Sequence, residues 1–393
     1  MICGFKVKHH GNGNNFLTSV MIRLSKSFIG EDEKSSVLEV LDKGYLGMGE
    51  EVKKFEDELS NFFNRQVVCV ANGTAAIQLS LQASNIGMGD EVIVPSLTYL
   101  ATFQAISATG ATPIPAEINK KTLCLDFSKL SEYLSERTKA IIPVHYAGDP
   151  SGIDEIYKFS SKNNLQVIED AAHAFGSIIN GRKVGSFGDI SCFSFDGIKN
   201  ITSGEGGCIV SDKSEVINRI KNLRLLGVDG ESSLREINRR KWNFDVTEQG
   251  WRFHMSNIMA AIGRAQLKKF SNMASVRQRL AKYYDRLLKD FGKVDLFCRN
   301  YDEIVPHIYV LKIKSSNRDY VRKEMLERGV ETGIHYQPNH QLSLYKNNLI
   351  SKLNTTEMVS ENILTLPLHP DLTEIEIDYI VGELIDILNS EPI

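Results

Sequence analysis

Val167-Ile-Glu-Asp-Ala-Ala-His-Ala-Phe-Gly176 and, further along, Phe193-Ser-Phe-Asp-Gly-Ile-Lys-Asn-Ile-Thr-Ser-Gly-Glu-Gly-Gly207 are the two stretches on which the fold turns. The apolar run Leu165 to Ile168 reads as a buried parallel strand, and two acids follow where it ends. Ligands of open α/β sheets bind beyond the carboxyl ends of the strands, so Asp170 is placed to reach one. Lys199 lies between a second β-like segment and a glycine-rich turn, held close to the backbone. Burial there would lower the pKa of its amine, as a nucleophilic lysine requires. Taken singly, Asp170 also reads as a helix N-cap and Lys199 as a structural lysine in a turn.

Working outward, Val67-Val-Cys-Val-Ala-Asn-Gly-Thr-Ala-Ala-Ile77 runs from a β-branched strand into a helix opening at Gly73, Thr74 and Ala75. Such an opening offers unpaired N–H groups and a positive dipole end, which suit a phosphate; Thr74 and Ser194 can add hydroxyls. Tyr99 follows the strand Glu91–Pro95, where its ring could stack on a flat ligand or simply pack in the core. An amine, a carboxylate at a strand end and a phosphate cradle are what pyridoxal 5′-phosphate requires: the carboxylate keeps its ring nitrogen protonated, and the ring then withdraws electrons. Strand candidates recur at Val67–Val70, Glu91–Pro95, Thr112–Ala116, Ala140–His145, Leu165–Glu169, Ile190–Phe195 and Gly207–Val210, with helical spacing between most of them, as at Leu130–Leu134 and Ser214–Leu226. This alternation predicts an α/β fold with a mostly parallel central sheet and helices on both faces. A long helix from about Ser256 to Leu288 is expected to lead into a smaller C-terminal α+β domain, with strands at His307–Ile313 and Gly333–Tyr336.

In order and spacing these segments resemble the DegT/DnrJ/EryC1/StrS family of sugar-nucleotide aminotransferases, of fold type I, from about Met21 onward. Gly44-Tyr-Leu-Gly-Met-Gly49, Val144-His-Tyr-Ala-Gly148, Gly185-Ser-Phe-Gly-Asp189 and Leu366-Pro-Leu-His-Pro370 carry the same resemblance. It implies Lys199 as the lysine that bonds the pyridoxal aldehyde and shuttles the proton, Asp170 at the ring nitrogen, His173 near the ring hydroxyl and Tyr99 stacked on the ring. Gly73, Thr74, Ala75 and Ser194 would hold the phosphate. Family members commonly carry Gly-Tyr-Asn-Tyr-Arg-Met before the long helix, the Asn reaching the cofactor of the neighbouring subunit; here the segment is Gly250-Trp-Arg-Phe-His-Met255. Arg252 is therefore expected to complete the phosphate site across a homodimer interface, the alternative being a surface arginine paired with a local acid. The resemblance implies L-glutamate as donor and a nucleotide-linked ketosugar as acceptor. Tyr45, Met48, His335 and Tyr336 are the candidate sugar contacts, and the substrate-side segments look most like viosamine-forming enzymes acting on dTDP-4-keto-6-deoxy-D-glucose. UDP- or GDP-linked 4-ketosugars and 3-ketosugars stay open.

Composition narrows the class. The chain has 393 residues, 42% hydrophobic and 24% charged, with a formal net charge of −3. That balance is ordinary for a soluble enzyme, and it lacks the basic excess of a nucleic-acid binder. No apolar run approaches the length of a membrane span. Six scattered cysteines form no metal-binding pattern and point to a reducing cytoplasm. Expected divisions are 1–20, an extension outside the fold (a disordered arm or an upstream start); 21–255, the cofactor-binding domain; and 256–393, the connecting helix and small domain. A nicotinamide oxidoreductase would need a G-x-G-x-x-G turn after an early strand, and Gly44–Gly49 lacks both the spacing and the strand. A purely regulatory protein on the same scaffold would have no use for the Asp170/Lys199 pair.

Overall fold

A computed structural model describes residues 21–240, 242–314 and 317–390; the expected extension over 1–20 lies outside them. Helices α1 (Glu31–Lys43) and α2 (Glu50–Phe63) precede the first strand. There follow β1 (Gln66–Val70), α3 (Gly73–Ala83), β2 (Glu91–Pro95), α4 (Leu100–Ala108), β3 (Thr112–Ala116), β4 (Thr138–Ile141), α5 (Ile153–Lys162) and β5 (Gln166–Asp170). A short hairpin of β6 (Ile178–Ile179) and β7 (Arg182–Lys183) leads to β8 (Ile190–Ser194) and β9 (Gly207–Ser211), then α6 (Ser214–Leu223) and α7 (Glu231–Glu236). Seven strands form one sheet in the order β1-β9-β8-β5-β4-β2-β3, in which β9 runs antiparallel to both of its neighbours and the other pairings are parallel.

Successive side chains on a strand point to opposite faces, and here both faces are covered. Val68, Val70, Ile168, Ile190 and Cys192 pack with α3, α4 and α6 residues such as Leu79, Phe103 and Ile220. Val67, Cys69, Phe193 and Cys208 face the other way, against Val52, Phe55 and Phe63 of α2 and Phe270 of the long helix α8 (Asn257–Leu288). Strands of the sheet therefore carry apolar residues at successive positions, as Val-Val-Cys-Val in β1 and Val-Ile-Val in β2. The expected strand starts lie within two residues of those observed. The expected helical turn at Leu130–Leu134 is a 3-10 turn over Phe127–Tyr133.

The helix α8 begins where its sequence indicates, with Ser256 as N-cap accepting from the Met259 N–H. Beyond it β10 (Val294–Leu296), β11 (Tyr309–Ile313) and β12 (Ile363–Leu366) form an antiparallel sheet in that order. With α9 (Arg318–Glu327), α11 (Glu374–Ser390) and the far end of α8 they share a core of Leu280, Tyr284, Leu311, Val321, Leu364 and Leu384. The helix α10 (Asn354–Ser360) precedes β12. The strand expected at Gly333–Tyr336 is not formed. Gly333 makes one antiparallel bridge to Thr365, and the chain then leaves the sheet edge, carrying His335 and Tyr336 toward the large sheet.

Candidate active site

The carboxyl ends of β5 and β8, the N-terminus of α3 and the loop carrying Lys199 meet at one place. Asp170 closes β5 and is buried; its Oδ2 accepts from Thr102 Oγ1 at 2.7 Å and its Oδ1 from the Ala172 N–H at 3.2 Å. No helix follows it, so the N-cap reading falls: residues 171–176 form turns. Burial raises the Asp170 pKa, opposed by the Thr102 and Ala172 bonds and by the charge of Lys199. Part of the Lys199 side chain still meets solvent, but protein surrounds its amine. Desolvation brings that amine down to about 8, against the opposing pull of Asp170 and Asp196.

His173 sits beside them, buried. The Ala147 N–H donates to its Nδ1 at 3.3 Å, so Nε2 carries the hydrogen and donates to the Tyr336 hydroxyl at 2.9 Å. Both ring nitrogens are thus engaged within the protein, and Tyr336 keeps its own hydroxyl hydrogen to give. Burial, the Lys199 charge and His335 hold His173 well below the usual histidine range, so it is neutral. His335 bonds Thr365 Oγ1 through Nδ1 at 2.8 Å, its carbonyl accepts from the Tyr146 hydroxyl, and burial lowers its pKa to about 4. Tyr99, at the N-cap of α4, is 61% exposed, with its ring 5.7 Å from that of Tyr336. It is not core packing.

At the start of α3 the Asn72 side chain already accepts from the Ala75 N–H at 2.8 Å. The expected use of Ala75 is therefore narrowed: the donors of the first turn that an anion could still take are those of Gly73 and Thr74. A Cβ on Gly73 would come within 2.9 Å of Ser194 Cβ, so the cradle between α3 and β8 depends on a residue without a side chain. Among the expected sugar contacts, Met48 is corrected. It is 1% exposed and packs with Val52 and Phe55, so its side chain belongs to the core. Tyr45 is half-buried, with its carbonyl accepting from Asn257 Nδ2 at 2.9 Å. Arg252 is exposed and bridges through its backbone to Leu225; among the described residues no ion pair holds its side chain, contrary to the alternative of a locally paired arginine. Within one copy neither Tyr45 nor Arg252 is seen to touch Lys199.

Two residues at the site escaped sequence reasoning. Thr102 supports Asp170 from α4, one turn after Tyr99. His307, just before β11, lies with Nε2 3.4 Å from Lys199 Nζ and its ring 4.4 Å from that of His173.

A model of the DegT/DnrJ/EryC1/StrS aminotransferase family matches residues 27–385. The chain belongs to that family. An uncharacterized protein of Methanocaldococcus jannaschii, MJ1066, is 34% identical over 371 residues, which span 92% of this chain and 94% of the relative. The aminotransferase TlmJ from Streptoalloteichus hindustanus superposes with a TM-score of 0.87 at 30% identity, covering 94% of this chain and all of that one. The putative sugar aminotransferase Spr1654 from Streptococcus pneumoniae, in its PLP form, gives 0.87 at 28% identity over 94% and 99% of the two chains. PseC of Helicobacter pylori, an aminotransferase involved in the biosynthesis of pseudoaminic acid, gives 0.87 at 27% over 95% and 100%.

This member of the family is a pyridoxal-phosphate-dependent aminotransferase acting on sugars, with the type I fold. Its residues fit the cofactor. Asp170 is a buried carboxyl whose pKa burial raises, and a protonated ring nitrogen beside it would favour its charged form. The Gly73–Ser194 cradle leaves room for a phosphate beside a helix N-terminus, and Lys199 offers an amine already lowered toward neutrality. No helix is long and apolar enough to cross a membrane, and no group of residues with metal-binding potential is found, both among the described residues.

Proposed function

We propose that this chain transfers the amino group of L-glutamate to the keto carbon of a nucleotide-linked 4-keto-6-deoxy sugar, with dTDP-4-keto-6-deoxy-D-glucose the first substrate to try and dTDP-4-amino-4,6-dideoxy-D-glucose its product. The observation that carries the transfer chemistry is the amine of Lys199, lowered to about 8 within a buried cluster that includes Asp170 and the neutral His173. The sugar comes from the family, and the choice among sugars from the likeness of the segments Gly44–Gly49 and Gly333–Tyr345 to viosamine-forming enzymes.

When bound, pyridoxal phosphate supplies the aldehyde that takes up the amino group and the ring that withdraws electrons from the neighbouring carbon. With the cofactor bound, Lys199 would take the proton from the donor carbon and, in the second half, give a proton to the sugar carbon. Its lowered pKa lets the one amine act as base and as acid near neutral pH. Asp170, steadied by Thr102, holds a positive charge opposite it. The N–H groups of Gly73 and Thr74 and the hydroxyls of Thr74 and Ser194 bind phosphate, and Arg252 of a second copy closes the cradle with a guanidinium fork. The exposed Tyr99 ring would stack on the flat ring of the cofactor. Tyr336, with His173 donating to its oxygen, donates its own hydrogen into the site, and His335 and Tyr45 line the approach of the sugar.

Incubating the protein with pyridoxal phosphate, L-glutamate and a panel of dTDP-, UDP- and GDP-linked 3- and 4-ketosugars, with products read by mass, tests the reading. Amination of the dTDP 4-ketosugar ahead of the others is expected. Preference for another nucleotide or for a 3-ketosugar would replace the substrate, and turnover of free keto acids alone would overturn the nucleotide-sugar reading.

A further inference from the structure

His307 is 3% exposed, and among the described residues its ring comes within hydrogen-bond distance of one group, the amine of Lys199 at 3.4 Å. Its Nδ1 is buried with no hydrogen-bond partner among the described residues. A buried imidazole that leaves one nitrogen unpaired costs more than an apolar side chain of the same size. The ring is nonetheless held firmly. Arg277 of α8, itself buried, donates from Nη1 to the His307 carbonyl at 3.2 Å and also to the Leu368 carbonyl, while the ring of His173 lies against it at 4.4 Å.

We propose that His307 is a positioning residue for Lys199, its Nε2 accepting a hydrogen bond from the lysine amine whenever that amine is not bonded to the cofactor. The proposal rests on Lys199 being the reacting lysine. A lysine released by the donor amino acid regains four rotatable bonds, and each proton transfer then requires it to return to one place. An acceptor fixed between α8 and β11 keeps the amine at the site without taking its proton. His307 does not store the proton itself: burial, with the charges of Lys199 and Arg277 nearby, holds it well below the ordinary histidine range. The groups that set the amine's charge are Asp170 at the end of β5, Asp196 on its own loop and Arg277 on α8, with His173, His335 and His307 neutral around it.

The test uses His307→Leu and His307→Phe, which remove the acceptor, and His307→Gln, which keeps one. Two apolar variants are made so that loss of folding in one leaves the other. In the full-length, cofactor-free proteins, trace acetylation with acetic anhydride across pH, read peptide by peptide by mass, gives the titration midpoint of Lys199. An acceptor stabilises the charged amine, so the midpoint of about 8 in wild type is expected to fall by about one pH unit in the Leu and Phe proteins, the effect of one lost bond to a charged group, and to stay in place in the Gln protein. In the loaded enzymes, exchange of the glutamate Cα hydrogen with solvent is expected to slow about tenfold or more for Leu and Phe with the glutamate KM unchanged, and to be largely restored by Gln. An unshifted or raised midpoint in the apolar variants, or a Gln protein as impaired as they are, overturns the proposal. Added pyridoxal phosphate should shield Lys199 of the wild type from acetylation. Labelling unaffected by it would sink the reading of Lys199 as the reacting lysine, and the role of His307 with it.

Discussion

Asp170 is the residue whose setting most constrains the chemistry, because burial raises its pKa and a facing cation lowers it again. A carboxyl whose folded pKa lies above its unfolded value of 3.8 binds more protons in the folded state between the two values, so the cofactor-free protein loses stability as pH rises through that window. A cationic ring beside the carboxylate reverses the penalty. The stabilisation given by pyridoxal phosphate, read as a shift in thermal midpoint, should therefore grow as pH rises across the same window, and Asp170→Asn should flatten that growth while lowering turnover at least about a hundredfold. Gly73 makes a second prediction. Adding a Cβ 2.9 Å from that of Ser194 forces α3 and β8 apart, so Gly73→Ala should weaken cofactor affinity, measured by fluorescence titration, by about tenfold or more while the fold survives. Lys199, Asp170 and Gly73 were legible because each stands in a local pattern: a strand end, a glycine-rich turn, a helix start. His307 had no such pattern. Its partner lies 108 positions away, and nothing around His307 in the sequence distinguishes a histidine against an amine from one in the core.

At the level of elements, what was readable and what was not divides by how a strand is buried. β1, β2, β3, β5, β8 and β9 stand in the sequence almost as they stand in the fold, because a strand covered on both faces needs an apolar run and little else. β4 was expected to reach His145 but ends at Ile141, and Pro143 two residues on has no N–H for the ladder. Gly333–Tyr336 has the composition of a strand, but it meets the free edge of β12 only at Gly333, opposite Thr365, and the chain turns away beyond it. Pairing is a property of two segments, and one segment alone does not reveal it. The long helix was readable at its start through Ser256. Removing the cap with Ser256→Ala should cost about 1 kcal/mol in urea unfolding and leave cofactor affinity unchanged, since the hydrogen bond that side chain makes among the described residues is to the Met259 N–H of its own helix. Gly176, in the turn after β5, adopts φ +85° with the Phe270 ring of α8 2.1 Å from where a Cβ would stand. Gly176→Ala meets both a strained backbone and a steric clash, and should lower the unfolding midpoint well beyond the loss of the Ser256 cap.

At the scale of the whole molecule, Arg252 is exposed, has no ion pair among the described residues, and is proposed above to reach the phosphate of a second copy. If each site takes Lys199 from one copy and Arg252 from the other, two defects in different subunits can compensate. Arg252→Ala alone should weaken cofactor affinity about tenfold or more, by loss of charge-assisted bonds to phosphate. Lys199→Ala alone should abolish turnover. In a dimer of one subunit of each kind, one site would lack both groups and the other would have both. Denaturing the two defective proteins together and refolding them at equal concentration should then yield roughly a quarter of wild-type activity at limiting cofactor from the mixed dimers, because about half of the dimers are mixed and each has one intact site of two. An arginine acting within its own subunit predicts the opposite. Mixing would leave every site with at least one defect, and the activity at limiting cofactor would stay at the mean of the two separate proteins however long they exchange.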